Sequence, residues 1–515
     1  MRFLLAAAAA LVIANPPPAR AMTQLPSPIV QTADGPVMGT VTDTISTFLG
    51  IPYAAPPVGK LRWMPPQPHA PWTTPRDATH YSKECPQSGS SWSEDCLYLN
   101  IAVPTSALEP GASPVPVMFW IHGGAFVGGS GVGGDPTKLI TTGDVIVVKI
   151  NYRLGALGFL AHSALSAESP YGASGNYGIM DQQFALKWVK RNIAAFGGDP
   201  GNVTIWGGSA GGVSVFSNLV SPLAKGRFRR AIVESGSYAT ILPSLASAES
   251  NGIAFANAVG CPDQTAACLR SVPAATLVKK VGVISGLDGE FLTPNVDGYV
   301  LPESIDAALA DGHFNRVPVI DGTAHDEYRI YVAELFDLAS HPMTSSQYNA
   351  YLNTYFGGSA PTVLAECPLA DYPSPDLAFA TVITDLVFSC QAHDADLSMA
   401  KYVRTRVYEF ADENAPTTLP PVSFPYGAYH GSEARYLFGS LPSNFTPEQF
   451  ALSAVMLRDW TSFARDGNPN ENWPPLKSTG EGWIKWLRPD VSTREKLSAF
   501  SADHKCSFWQ SLLTY

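Results

Sequence analysis

Charge is sparse along this chain of 515 residues. Asp, Glu, Lys and Arg make up only 15%, and acidic residues outnumber basic ones by 44 to 33. The formal charge of −11 argues against the basic footprint that nucleic acid or an anionic membrane surface needs in a partner. Long apolar runs are missing as well. The N-terminal run Phe3 to Ala14 is too short for a permanent bilayer span, and no later run qualifies. No internal repeat, low-complexity tract or proline-rich linker marks a domain boundary after residue 21. What remains is 45% hydrophobic, enough for a globular protein with a large core.

Met1-Arg2, the apolar run and Ala19-Arg20-Ala21 follow the order of a signal peptide with an A-x-A cleavage site. The expected division is therefore a leader at 1–21 and one mature domain at 22–515, secreted or periplasmic, with no integral membrane segment after cleavage. Export permits disulfides. Seven Cys leave at least one unpaired, and their spacing alone fixes no connectivity.

Several short apolar runs read as strands buried on both faces: Val115 to Ile121, Val145 to Ile150, Val203 to Trp206, Ala231 to Val233, Val317 to Ile320 and Val407 to Phe410. Tyr177 to Phe196 carries helical periodicity. The proline-rich stretch Phe48 to Pro57 reads as an edge strand leading into an extended loop. Ile241 to Leu309 and Tyr328 to Ala392 look helical and loop-rich. Strands alternating with helices imply an α/β fold with a mostly parallel central sheet flanked by helices.

The strand Val203 to Trp206 runs into Gly207-Gly208-Ser209-Ala210-Gly211, a G-x-S-x-G turn followed by a segment able to start a helix. Such a nucleophile elbow lifts a serine hydroxyl clear of the sheet beside free N–H groups of a helix N-terminus. Gly357-Gly358-Ser359-Ala360 repeats the centre of the motif, but Pro361 replaces the last Gly and no apolar strand precedes it, so it reads as a loop. A serine hydroxyl needs a base within hydrogen-bond reach, and the base needs an orienting carboxylate. A glycine-rich turn after a buried strand, Trp120 to Phe126, could supply N–H donors for a developing oxyanion, each worth about 3–4 kcal/mol. A phosphate-cradling loop is excluded there, because no Gly-Lys-Ser/Thr follows.

Phe196 to Gly211 resembles the serine signature of type-B carboxylesterases, the group that includes cholinesterases and bacterial p-nitrobenzyl esterases. Glu94-Asp95-Cys96-Leu97-Tyr98-Leu99-Asn100-Ile101 resembles their second signature, with Ala102 a small departure. The resemblance runs from about Val37 to Trp509. It implies an α/β-hydrolase fold, with the two helical excursions forming a lid and gorge. It also implies the chain order serine, acid, histidine. The acid loop Gly322 to Glu327 places the carboxylate on Glu327, with Asp326 as its rival. The His-Gly motif falls on His430-Gly431, with Glu433 in register; His341, His393 and His504 lack its glycine flanks. The oxyanion hole maps to the N–H groups of Gly124, Ala125 and Ala210.

The same resemblance pairs Cys85 with Cys96, Cys261 with Cys268 and Cys390 with Cys506, leaving Cys367 over. It makes Arg153–Asp181 and Arg62–Glu94 buried ion pairs and sets the Ser235 hydroxyl near the catalytic acid. Asn202-Val203-Thr204 and Asn444-Phe445-Thr446 are glycosylation sequons, the first within a core strand. Two departures concern substrate. Gly208 stands where many relatives carry Glu before the nucleophile. The Cys85–Cys96 segment is shorter than the loop with which cholinesterases present a choline-stacking aromatic, although Trp92 lies inside it. The expected function is hydrolysis of small carboxylic esters through an acyl-enzyme, with no cofactor and no metal. The alternatives are a triacylglycerol lipase and a non-catalytic adhesion homologue; such homologues typically lack a triad member, and all three are present here.

Overall fold

The computed structural model describes residues 27–89, 91–281, 292–339, 341–439, 444–469, 472–490 and 493–513. The leader assigned to 1–21 lies outside them. The centre of the molecule is an eleven-stranded sheet. In chain order its strands are β1 (Thr40–Val41), β2 (Ile45–Pro52), β3 (Tyr98–Pro104), β4 (Val115–Ile121), β5 (Ile146–Ile150), β6 (Gly198–Gly208), β7 (Arg230–Glu234), β8 (Val319–Ala324), β9 (Thr405–Phe410), β10 (Trp483–Leu487) and β11 (Thr493–Lys496). Their spatial order is β11-β10-β9-β8-β7-β6-β4-β5-β3-β2-β1. The block from β5 to β10 is parallel, and antiparallel strands close both ends. A separate three-stranded sheet is formed by Ile29–Gln31, Pro36–Met38 and Arg76–Asp77.

The unbroken apolar runs follow from burial on both faces. Along β4, Val117, Phe119 and Ile121 enter one core and Met118 the other. Likewise Val203 and Ile205 of β6 lie in the first core and Trp206 in the second. With side chains alternating by face, a strand covered on both sides must be apolar at every position.

The stretch from Phe48 is a one-sided strand followed by a loop, as its prolines suggest. β2 meets β1 only at Ser46 and Thr47, and from Phe48 to Pro52 it pairs with β3 alone, with a register shift between Phe48 and Ile51. Its prolines are compatible with this because Pro52 is the last strand residue and Pro56 and Pro57 fall beyond it. The Gly357–Ser359 stretch is a single 3-10 turn between helices Ser345–Phe356 and Ala360–Glu366, not an irregular loop. The helix expected from Tyr177 ends at Asn192 as α1 (Tyr177–Asn192), and Ile193–Phe196 continue as a 3-10 turn.

All three expected disulfides are formed, and Cys367 is free and buried. Arg153 and Asp181 make a bidentate pair, with both contacts at 2.7 Å and both side chains almost inaccessible. Arg62 meets Glu94 at 2.8 and 2.6 Å. Among the described residues no helix is long and apolar enough to cross a membrane.

Candidate active site

β6 ends at Gly208, and α2 (Ala210–Val220) begins two residues later. Ser209 between them holds φ 58° and ψ −127°, a conformation that a non-glycine residue adopts only under constraint. Its N–H donates to the Glu234 carbonyl at 2.8 Å, which fastens the elbow to β7. The small neighbours are required by close approach. A Cβ on Gly211 would lie 2.1 Å from the Ile121 carbonyl oxygen, so any side chain there would push α2 off β4. A Cβ on Gly123 would stand 3.0 Å from the Ser209 Cβ. The glycine-rich turn after β4 and the serine therefore touch across the end of the sheet.

Gly124, Ala125 and Phe126 all have positive φ, at 110°, 52° and 60°. This twisted turn is held from behind: Val127 and Gly128 donate to the Gly124 carbonyl, and Gly155 donates to the Phe126 carbonyl at 2.6 Å. Ala210 opens α2, where first-turn N–H groups have no intrahelical acceptor. The elements named for the oxyanion hole thus meet at Ser209. His122, just before the loop, is stacked on Tyr152 at 4.4 Å, and burial drives its pKa down to about 4. It is a neutral packing residue.

Glu327 follows β8 and is fully buried. Its Oε1 accepts from the Ala324 N–H at 2.8 Å, and its Oε2 meets His430 Nδ1 at 2.5 Å. The His430 N–H bonds the Glu327 carbonyl at 3.3 Å. Burial opposes the charged imidazole, but the Glu327 charge and hydrogen bond, with Glu433 behind them, leave its pKa raised. His430 Nε2 is buried and carries no partner. Burial raises the Tyr238 pKa, and Ser209 is near enough to lower it against that larger effect. Phe388 packs at 5.3 Å from both the Tyr238 and His430 rings, and Tyr331 lies 5.5 Å from His430.

The rival residues point elsewhere. Asp326 bonds Arg329 at 2.7 Å and His325 at 3.0 Å, and accepts the Ala428 N–H at 2.9 Å. It anchors the loop that carries His430 and does not touch the imidazole. His504 is held between Asp385 and Glu409, His393 faces Asp394, and His341 lies on the exposed surface. Trp92 bonds the Gly89 carbonyl within its own loop. Ser235 Oγ lies 3.5 Å from Glu433, a carboxyl that in turn feels the charge of Glu327.

Two buried carboxyl pairs under the site escape motif reading. Glu234 accepts from the Trp460 indole at 2.8 Å; burial, then the Glu433 charge, pushes its pKa to about 8. Glu433 is pushed to about 7 by burial and by Glu327. A Cβ on Gly208 would lie 3.5 Å from Glu234 Oε2, so the Glu234 carboxyl fills part of the space a side chain at 208 would take. Asp321 of β8 is raised to about 8 by burial, and Asp396 of α3 (Cys390–Ala400) is raised well above its usual range by burial and by Asp321. The signal for both strand acids was a lone carboxylate within an apolar run, at Val233-Glu234 and Ile320-Asp321.

The sequence profile of the Carboxylesterase family matches residues 26–509. The chain is 36% identical over 495 residues to the fumonisin B1 esterase of Sphingopyxis macrogoltabida, covering 90% of this chain and 87% of that protein. It is 35% identical over 474 residues to the para-nitrobenzyl esterase of Bacillus subtilis (strain 168), covering 87% and 92%. A solved PNB esterase structure superposes with a TM-score of 0.78 at 35% identity, covering 93% of this chain and 99% of that one.

Proposed function

The chain belongs to the carboxylesterase family and is a carboxylic-ester hydrolase of the serine-esterase type, and we propose that Ser209, His430 and Glu327 carry its chemistry. The observation that carries the reading is the buried Glu327–His430 pair, whose Nε2 has no partner, together with the strained serine elbow.

Ser209 Oγ gives up its proton to His430 Nε2 and attacks the ester carbonyl. Negative charge develops on the carbonyl oxygen, which the N–H groups of Gly124, Ala125 and Ala210 receive. Glu327 stabilises the imidazolium that forms. His430 then protonates the leaving alcohol, and a water activated by the same imidazole releases the acid. Such hydrolysis needs no cofactor.

The substrate reading is a small, neutral carboxylic ester. Relatives are named for fumonisin B1, para-nitrobenzyl, pyrethroid, acylcarnitine and cocaine substrates. We further place the mature protein outside the cytoplasm, with 1–21 as its leader; the three disulfides support an oxidising compartment.

Paired substitutions test the acid assignment. Glu327→Gln is expected to lower kcat for p-nitrophenyl butyrate by roughly 10³ to 10⁴. Asp326→Asn retains an acceptor for the Ala428 N–H and is expected to stay within about tenfold of the parent. The reverse ranking would transfer the role to Asp326.

A further inference from the structure

His325 stands two residues before Glu327. Its Nδ1 pairs with Asp326 Oδ1 at 3.0 Å, and its Nε2 faces Asp503 Oδ2 at 3.4 Å. His504, beside the Cys390–Cys506 disulfide, repeats that arrangement in a buried setting. Its Nδ1 meets Asp385 Oδ1 at 2.6 Å, and its Nε2 meets Glu409 Oε1 at 2.7 Å. The two rings lie 5.5 Å apart, and donor atoms of His325, Glu409 and His504 all fall within 4.8 Å of one another. His325, Asp385, Asp503 and His504 border a cavity of about 90 Å³. Asp385 is 2% exposed, and its second oxygen has no hydrogen-bond partner.

We propose that this cluster is a Zn²⁺ site, separate from the ester-cleaving residues. Its ligands are the imidazoles of His325 and His504 and the Glu409 carboxylate, with Asp503, 3.4 Å from His325 Nε2, moving in as the fourth; its outer carboxylates are Asp326 and Asp385. Each imidazole has one nitrogen engaged by a carboxylate and the other turned toward a second carboxylate. That is the carboxylate–histidine–metal arrangement in which the outer carboxylate fixes ring orientation. Two imidazoles and two carboxylates suit Zn²⁺ better than Ca²⁺, which takes six to eight oxygens. A tetrahedral ion with bonds of about 2.1 Å holds its ligands roughly 3.4 Å apart. The His325–Asp503 contact already has that spacing, and the His504–Glu409 contact at 2.7 Å needs to open by less than an ångström.

Charge points the same way. Asp326, Asp385, Glu409 and Asp503 face one another with Arg329 as the guanidinium partner on Asp326, and Glu495 is close enough to feel Glu409 and Asp503. The ligands come from the acid loop, from β9 and from α4 (Leu497–Asp503) with its C-cap His504. The ion would tie the loop bearing Glu327 to the C-terminal helices. It would brace the fold and take no part in ester cleavage.

The test uses the full chain without a polyhistidine tag, stripped with EDTA and titrated with ZnCl₂ by calorimetry, with bound metal counted by elemental analysis. A single Zn²⁺ per chain is expected, together with a higher melting temperature. His325→Ala and Asp503→Asn, at the solvent-facing side where folding is spared, are expected to weaken binding by at least about tenfold and abolish the thermal shift. His313→Ala, in the exposed Glu303–Asp311–His313 group, is expected to change neither. Ca²⁺ is not expected to displace the ion. Uptake well below one Zn²⁺ per chain, binding that survives His325→Ala, or displacement by equal Ca²⁺ would overturn the assignment and leave the cluster as two imidazolium ions held by carboxylates.

Discussion

His430 is the residue whose charge state sets the rate, and opposing forces act on it. Burial disfavours the imidazolium, yet the charge and hydrogen bond of Glu327 outweigh it, so the pKa rises above the ordinary value near 6.5. The base must be neutral to accept the serine proton. Activity is therefore lost as pH falls through this raised value, and kcat/KM for the free enzyme is expected to rise with a midpoint above 6.5. The pairing at 2.5 Å sets that direction. A pH–rate profile with p-nitrophenyl butyrate checks it, and a midpoint below 6.5 would mean that burial dominates. The motif-bearing residues were legible because their chemistry demands local features: small neighbours at Ser209, glycine flanks at His430, a strand end before Glu327. Glu234 was not, because nothing near it in sequence reveals that Trp460 and Glu433 surround it.

At the scale of elements, the legible strands were those sandwiched between two cores. β10 and β11 were missed because Trp483-Ile-Lys-Trp-Leu and Thr493-Arg-Glu-Lys mix charges with apolar residues near the sheet edge. The pairing of β8 with α3 through Asp321 and Asp396 was equally hidden, since the two carboxyls are far apart in sequence. It carries a stability prediction. A carboxyl whose folded pKa is raised holds a proton that the unfolded chain has already released between about pH 4 and 8. The unfolded state then binds fewer protons than the folded one, so stability falls as pH rises through that window and levels off above it. Asp321→Asn keeps an acceptor for Ser237, which lies 3.2 Å away, and removes the titration. Urea unfolding from pH 5 to 9 is expected to show a shallower alkaline loss in Asp321→Asn than in the parent. Parallel curves would show that Asp321 is not held protonated.

At the scale of the whole molecule, the net charge of −11 is diffuse and acts mainly on encounter, where salt screens it. Discrimination for a cationic alcohol needs a nearby fixed carboxylate. At ~5 Å and an effective dielectric of ~20 that would contribute roughly 3 kcal/mol. Gly208 supplies none. Glu234, filling the space beside it, is pushed to about 8 and so is largely protonated at neutral pH. At physiological salt, kcat/KM for butyrylcholine and its neutral isostere 3,3-dimethylbutyl butyrate is therefore expected to agree within about tenfold, the factor that ~1.4 kcal/mol represents. A much stronger preference for the cation would place an ionised acid in the gorge. Gly208→Glu would crowd Glu234 and, where it folds, shift the ratio toward the cation.

The whole account turns on Ser209 forming a covalent acyl-enzyme. Rapid mixing with p-nitrophenyl butyrate, followed by acid quench and peptide mass analysis, measures this directly. The predicted result is a burst of about one p-nitrophenolate per chain, with a butyryl mass on the peptide containing Ser209 and neither burst nor adduct in Ser209→Ala. A butyryl group on any other residue, or an undiminished burst in Ser209→Ala, would contradict it.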